Sequence, residues 1–163
     1  MHDELVRYFS AEKSESLLFV LMGVGAFVAS ALLLRSESPY RGMAIPLTAI
    51  GLIQVGVGAT VYLRTDAQVA ALAALLKGTP AEFQQAELAR MAMVMRSFQL
   101  YKAIEIVVLA GGIVLALLFP RRERLYSAGI GCLLQGSLML VMDLFAERRG
   151  QVYIDAIRRL GGG

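Results

Sequence analysis

The chain has 163 residues, 57% of them hydrophobic and 18% charged, with a mean hydropathy of +0.62 and a formal net charge of +3. That is more apolar surface than a water-soluble domain of this length can bury, which argues against a soluble enzyme. A single cysteine, Cys132, and a single histidine, His2, exclude an internal disulfide and leave haem ligation by paired histidines, zinc sites and histidine-based acid–base chemistry without material.

No cofactor or metal is therefore expected, and Cys132, inside an apolar run, reads as packing. The basic residues are scattered singly and form no stripe, so nucleic acid is not an expected partner. The positive excess reads as contact with lipid headgroups. The apolar residues fall in blocks of about 20, the length that crosses roughly 30 Å of hydrocarbon. The expected fold is one all-α membrane domain, a bundle of four transmembrane helices with both termini on one side.

Residues 1–15 place Leu5, Tyr8 and Phe9 among charges and read as a segment lying in the membrane interface. The first span is expected at 16–34. Ala29-Ser30-Ala31 matches a signal-peptide cleavage pattern, but the acidic segment before it and Leu32-Leu33-Leu34 after it favour a retained span. Gly23-Val24-Gly25 lies inside this apolar block and is packing rather than a phosphate loop. The second span is expected at 42–63, with Gly51, Gln54, Gly58 and Tyr62 on one face.

The sizeable piece outside the membrane is expected at 66–99, as a helical hairpin. Asp66 can cap a helix that runs to Leu76 and stops at Gly78, and Thr79-Pro80-Ala81-Glu82 is a capping box with proline at the first helical position. With no breaker before Gly111, the helix from Pro80 should run unbroken into the third span. Leu88, Met91, Met95 and Phe98 alternate spacings of three and four, a seam for packing on a second helix. The same residues, with the Met91–Met95 run, are the candidates for docking a protein partner.

The third and fourth spans are expected at 101–119 and 126–145, the fourth with Cys132, Gln135, Gly136, Met139 and Asp143 on one face, followed by an amphipathic helix at 146–160. Gly25 with Ala29, Ala26 with Ser30, Gly112 with Ala116, and Cys132 with Gly136 are small residues four apart, suited to close helix packing within the chain or to self-association. Gln54 and Gln135, costly in hydrocarbon without a partner, are expected to bond each other, a carbonyl or water. A faint repeat sets Leu52-Ile53-Gln54 with Tyr62 against Leu133-Leu134-Gln135 with Asp143, and Lys13 and Glu15 against Lys102 and Glu105.

Alternating spans bring Glu15, Tyr62, Arg64, Lys102, Glu105, Asp143 and Arg148 to one face as a polar belt. There Glu105 and Asp143, the deepest carboxyls, should point inward and meet a cation or a tyrosine hydroxyl. Eleven Lys/Arg on the terminal side against five on the other place the termini in the cytoplasm; a bacterial inner membrane is the expected location. Two functions follow: a non-catalytic accessory, assembly or immunity-type factor, or a small oligomeric transporter or channel built on Glu105, Asp143, Gln54 and Gln135.

Overall fold

The computed structural model describes residues 1–160. Four long helices, α1 (His2–Arg35), α2 (Ala44–Gly78), α3 (Pro80–Leu118) and α4 (Glu123–Arg159), account for nearly all of it, with a short 3₁₀ turn at Pro39–Met43. Each carries a stretch long and apolar enough to cross a membrane, which suggests a membrane protein.

At 34 to 39 residues the helices are about 50 to 60 Å long, well beyond roughly 30 Å of hydrocarbon. The surplus of all four collects at the end holding both termini. The bundle therefore has an apolar half and a polar half.

This continuity corrects several expectations. Asp66 does not start a helix: α2 runs through it without interruption, because no residue between Leu63 and Asp66 breaks a helix, and the carboxylate is drawn instead to Lys13. Residues 1–15 do not lie flat; α1 runs straight through them, and Leu5, Tyr8 and Phe9 are buried. Residues 146–159 continue α4 rather than forming a separate helix. The helix from Pro80 does run on, past Gly111 to Leu118. At its start Thr79 donates to the Glu82 side chain at 2.8 Å rather than capping the backbone.

In the polar half, Leu5, Tyr8, Phe9, Phe83, Met91, Tyr153, Ile154 and Ile157 form a core, with Val69, Leu72, Leu75, Leu76, Leu88, Val94 and Met95 against it. All four helices contribute, so the seam of Leu88, Met91 and Met95 packs inside a four-helix core rather than in a two-helix hairpin. Tyr8 stacks on Tyr153 with centroids 4.3 Å apart, and Phe9 meets both rings edge-on.

In the apolar half, α1 packs on α2 and α3 on α4, and the two pairs meet chiefly where the 3₁₀ turn Pro39–Met43 packs on α4, and then between α2 and α4. Glycines set these crossings. A Cβ on Gly23 would lie 2.7 Å from the Gly51 carbonyl oxygen, and one on Gly112 would lie 2.9 Å from that of Gly129. Gly58 similarly faces Val20 and the Ser16 carbonyl, and Gly136 faces Leu109. Of the expected small pairs, Gly112 and Ala116 do line the α3–α4 crossing, whereas Gly25 faces outward with open space around it.

Gly112→Leu should therefore force α3 from α4, with a loss on the order of 1–3 kcal/mol for overpacking, while the adjacent Gly111→Leu, which meets no neighbouring atom, should be near neutral. Thermal unfolding of the two variants in mild detergent checks this; equal melting temperatures would show that the crossing tolerates a side chain.

Candidate functional site

The polar belt assembles where the two halves meet, through ion pairs between helices. Lys13 of α1 holds Asp66 of α2 at 2.6 Å and sits 4.8 Å from the Tyr62 ring centroid. Glu15 of α1 pairs with Arg149 of α4, and Lys102 of α3 with Glu147 of α4 at 2.6 Å. Arg64 and Arg148 are exposed. The belt thus ties α1 to α2, α1 to α4 and α3 to α4. Glu147 and Arg149 fall in the belt with Asp143 and Arg148, as their position at the end of the fourth span predicts, whereas Lys13 and Asp66 pair there without having been expected in it.

Glu105 and Asp143 do not meet a cation. Glu105 is 3% exposed, and neither of its carboxyl oxygens has a hydrogen-bond partner; one oxygen of Asp143 is likewise unpartnered. The two side chains face each other across the α3–α4 contact. Of the expected partners, Arg64, Lys102, Arg148 or a tyrosine hydroxyl, Lys102 lies nearest and is engaged by Glu147. Deeper in the apolar half, buried Gln54 donates to the Gln135 oxygen at 3.4 Å, a long bond that joins the two helix pairs and leaves the Gln54 oxygen without a donor.

The seam offered as a docking surface is internal. Met91 is fully buried, Leu88 and Met95 pack on the core, and Phe98 is half-buried. Within the Met91–Met95 run Met93 is the outward-facing methionine, at 66% exposure.

A second polar cluster, unread from the sequence, lies in the polar half. Arg90 forks onto the buried Glu87 carboxylate with two bonds of 2.7 Å and lies over the Phe9 ring. Glu12 faces arginines from three other helices, Arg90, Arg64 and Arg149, yet one of its oxygens is buried without a partner. Burial outweighs the arginines and holds the Glu12 carboxyl above its ordinary range. Burial, with the Glu12 charge nearby, pushes the Tyr8 hydroxyl up to about 12, and burial, with Glu87 beside it, also raises that of Tyr153. The signal was present as spacing: Leu5, Tyr8 and Glu12 share one helix face, as do Phe83, Glu87 and Met91.

Among the described residues no group of three or more His, Cys, Asp or Glu side chains is placed to hold a metal ion. Comparisons with family models, with curated proteins and with solved structures found no match.

Two predictions follow from the polar cluster. Arg90→Met should destabilise the protein by about 3–5 kcal/mol, because it strands a buried carboxylate, and Glu87→Met added to it should recover most of the loss; denaturant unfolding of the single and double variants measures this. For Glu12 the sign runs toward acid. A carboxyl raised in the folded state stabilises below its unfolded value near 4.5 and loses that contribution as pH climbs through the folded value. Glu12→Gln should raise the melting temperature at neutral pH, with the gain vanishing below about pH 4.5; a lower melting temperature at neutral pH would mean that the arginines outweigh burial.

Proposed function

We propose that this is a small polytopic membrane protein that works without catalysis, as an accessory, assembly or immunity-type factor docking a helix of a membrane partner along α3. The observation that carries this reading is a strip of exposed apolar residues on α3 that crosses from the apolar half into the polar half. Leu100, Tyr101 and Ile104 are 59%, 48% and 53% exposed, and the strip extends to Met93. Met93 lies eight residues before Tyr101, roughly 12 Å further along the helix axis, beyond the reach of hydrocarbon. Lipid alone does not cover it; a partner helix that spans the bilayer and continues past it does.

Two further features support the reading. α3 packs chiefly on α4 and meets α1 only within the polar-half core, where Arg90 lies over Phe9, so its outer face is left open. The polar half closes its own core, which leaves this strip, flanked by Arg96 and Gln99, as the surface suited to a partner. The excess of Lys and Arg on the polar half supports placing that half in the cytoplasm of a bacterium with an inner membrane.

A photo-crosslinking side chain at Met93 or Leu100 should yield an adduct with one partner protein in native membranes, and the same probe at Lys77 on the bundle tip should not. Met93→Glu with Leu100→Glu should abolish co-purification of that partner while the melting temperature holds. Adducts with lipid alone, or with a second copy of the chain alone, would overturn the reading.

A further inference from the structure

The two helix pairs of the apolar half repeat one packing register. Gly23 meets Gly51 as Gly112 meets Gly129, and Gly58 faces Val20 as Gly136 faces Leu109. Each α1 residue thus corresponds to the α3 residue 89 positions on, and each α2 residue to the α4 residue 78 positions on. This register differs by three residues in the second helix from the one that the Leu-Ile-Gln and Leu-Leu-Gln motifs imply. In it the counterparts of Glu105 and Asp143 are not Glu15 and Tyr62 but Ser16 and Thr65.

That correspondence separates what the fold needs from what the second pair adds. Ser16 and Thr65 are both buried, and each hydroxyl donates to a carbonyl of its own helix, Lys13 and Val61, at 2.7 Å. The same level of the same crossing is therefore closed by small hydroxyls that satisfy themselves. The α3–α4 pair puts two carboxyls there and leaves three of their four oxygens buried without a partner. Helix packing does not call for this arrangement.

We propose that Glu105 and Asp143 are a proton-binding site: one carboxyl keeps its O–H and donates it to the facing carboxylate, and the pair exchanges that proton with the polar side. Two facing carboxylates with no cation between them repel in a medium of low dielectric, and one bound proton turns the repulsion into a hydrogen bond. On release, a carboxylic acid and a carboxylate become two carboxylates and the proton leaves toward the belt. The charged groups acting on the pair are Lys102 on α3 and Glu147 on α4. They pair with each other at 2.6 Å, which weakens Lys102 as a counter-ion for the two carboxyls. A metal ion fits less well, since two carboxyls beside an ammonium fall short of the six or more oxygen ligands hard cations take. The inference does not rest on the docking reading, and its test is independent of any partner.

A hydrophobic carbodiimide, which couples to a protonated carboxyl in an apolar setting, reads the site directly in the full chain embedded in lipid nanodiscs. Peptide mapping should find the adduct on Glu105 or Asp143 at neutral pH, with Glu15 and Glu147 unlabelled, and the yield should fall at least tenfold as the pH is raised into the alkaline range. The double variant Glu105→Ser with Asp143→Thr, which copies the first pair, should fold with an unchanged melting temperature and lose the adduct. Glu105→Gln alone removes the facing carboxylate, so labelling of Asp143 should fall off at a lower pH than in the wild type. Absence of an adduct on both residues at every pH, with the unfolded chain labelled, would overturn the proposal. So would sodium protecting the site at fixed pH where choline does not, which would assign it to a metal cation. A double variant that fails to fold, alongside labelling that ignores pH, would make the pair a structural clamp and also overturn it.

Discussion

A hairpin of two apolar helices can slide by a turn in lipid at little cost, because hydrocarbon surrounds it equally well in either register, so something other than the hydrophobic effect must choose one. Here the choice is made where backbone meets backbone, at Gly23 against Gly51 and Gly112 against Gly129, with no room between them for a Cβ. Everything polar in the molecule is placed by that choice. Sliding α4 one turn along α3 would part Lys102 from Glu147 and Glu105 from Asp143. The same contacts fix how far each helix overshoots the apolar block, and so bring Leu5, Phe83 and Ile157 to one level where they can share a core.

Past the belt, packing changes in kind. Water is available, burial of apolar surface becomes favourable, and the four helix extensions form a core with stacked tyrosines and an arginine fork. The interhelical ion pairs Lys13–Asp66 and Lys102–Glu147 are partly exposed, and pairs of that sort contribute little each. Their role is better described as alignment than as stability. Glu87 differs, since its carboxylate is buried and its arginine is the group that makes this tolerable.

Much of this architecture was legible because hydrocarbon imposes it: blocks of about 20 apolar residues, a proline start at Pro80 and a glycine stop at Gly78 need no tertiary information. Asp66 misled because a capping residue and a mid-helix ion-pair partner look identical until the residue opposite, Lys13, is known. Leu88, Met91 and Met95 were correctly an interaction seam, but the sequence does not say whether a seam's partner belongs to the same chain. The register between pairs was misread for a related reason. Gln54 and Gln135 stand out chemically, whereas the residues that set the register are glycines, whose role appears only when two backbones are seen to touch. Glu12 escaped notice because its three arginines come from three helices far apart in sequence.

Two incompletely satisfied carboxyls, Glu12 and Glu105, sit at different depths, and the contrast shows why depth decides what a carboxyl can do. Around Glu12 the arginines have long apolar stems and water within reach, so their charges can lean in from Arg64, Arg90 and Arg149 and moderate an imperfectly satisfied oxygen. Around Glu105 no such adjustment is open. The nearby cation, Lys102, is already held by Glu147, and the surrounding surface is apolar. A buried carboxylate whose nearest cation is already paired gains most from a second carboxyl with which to share a proton. The geometry that makes Glu105 costly is the geometry that brings Asp143 to face it.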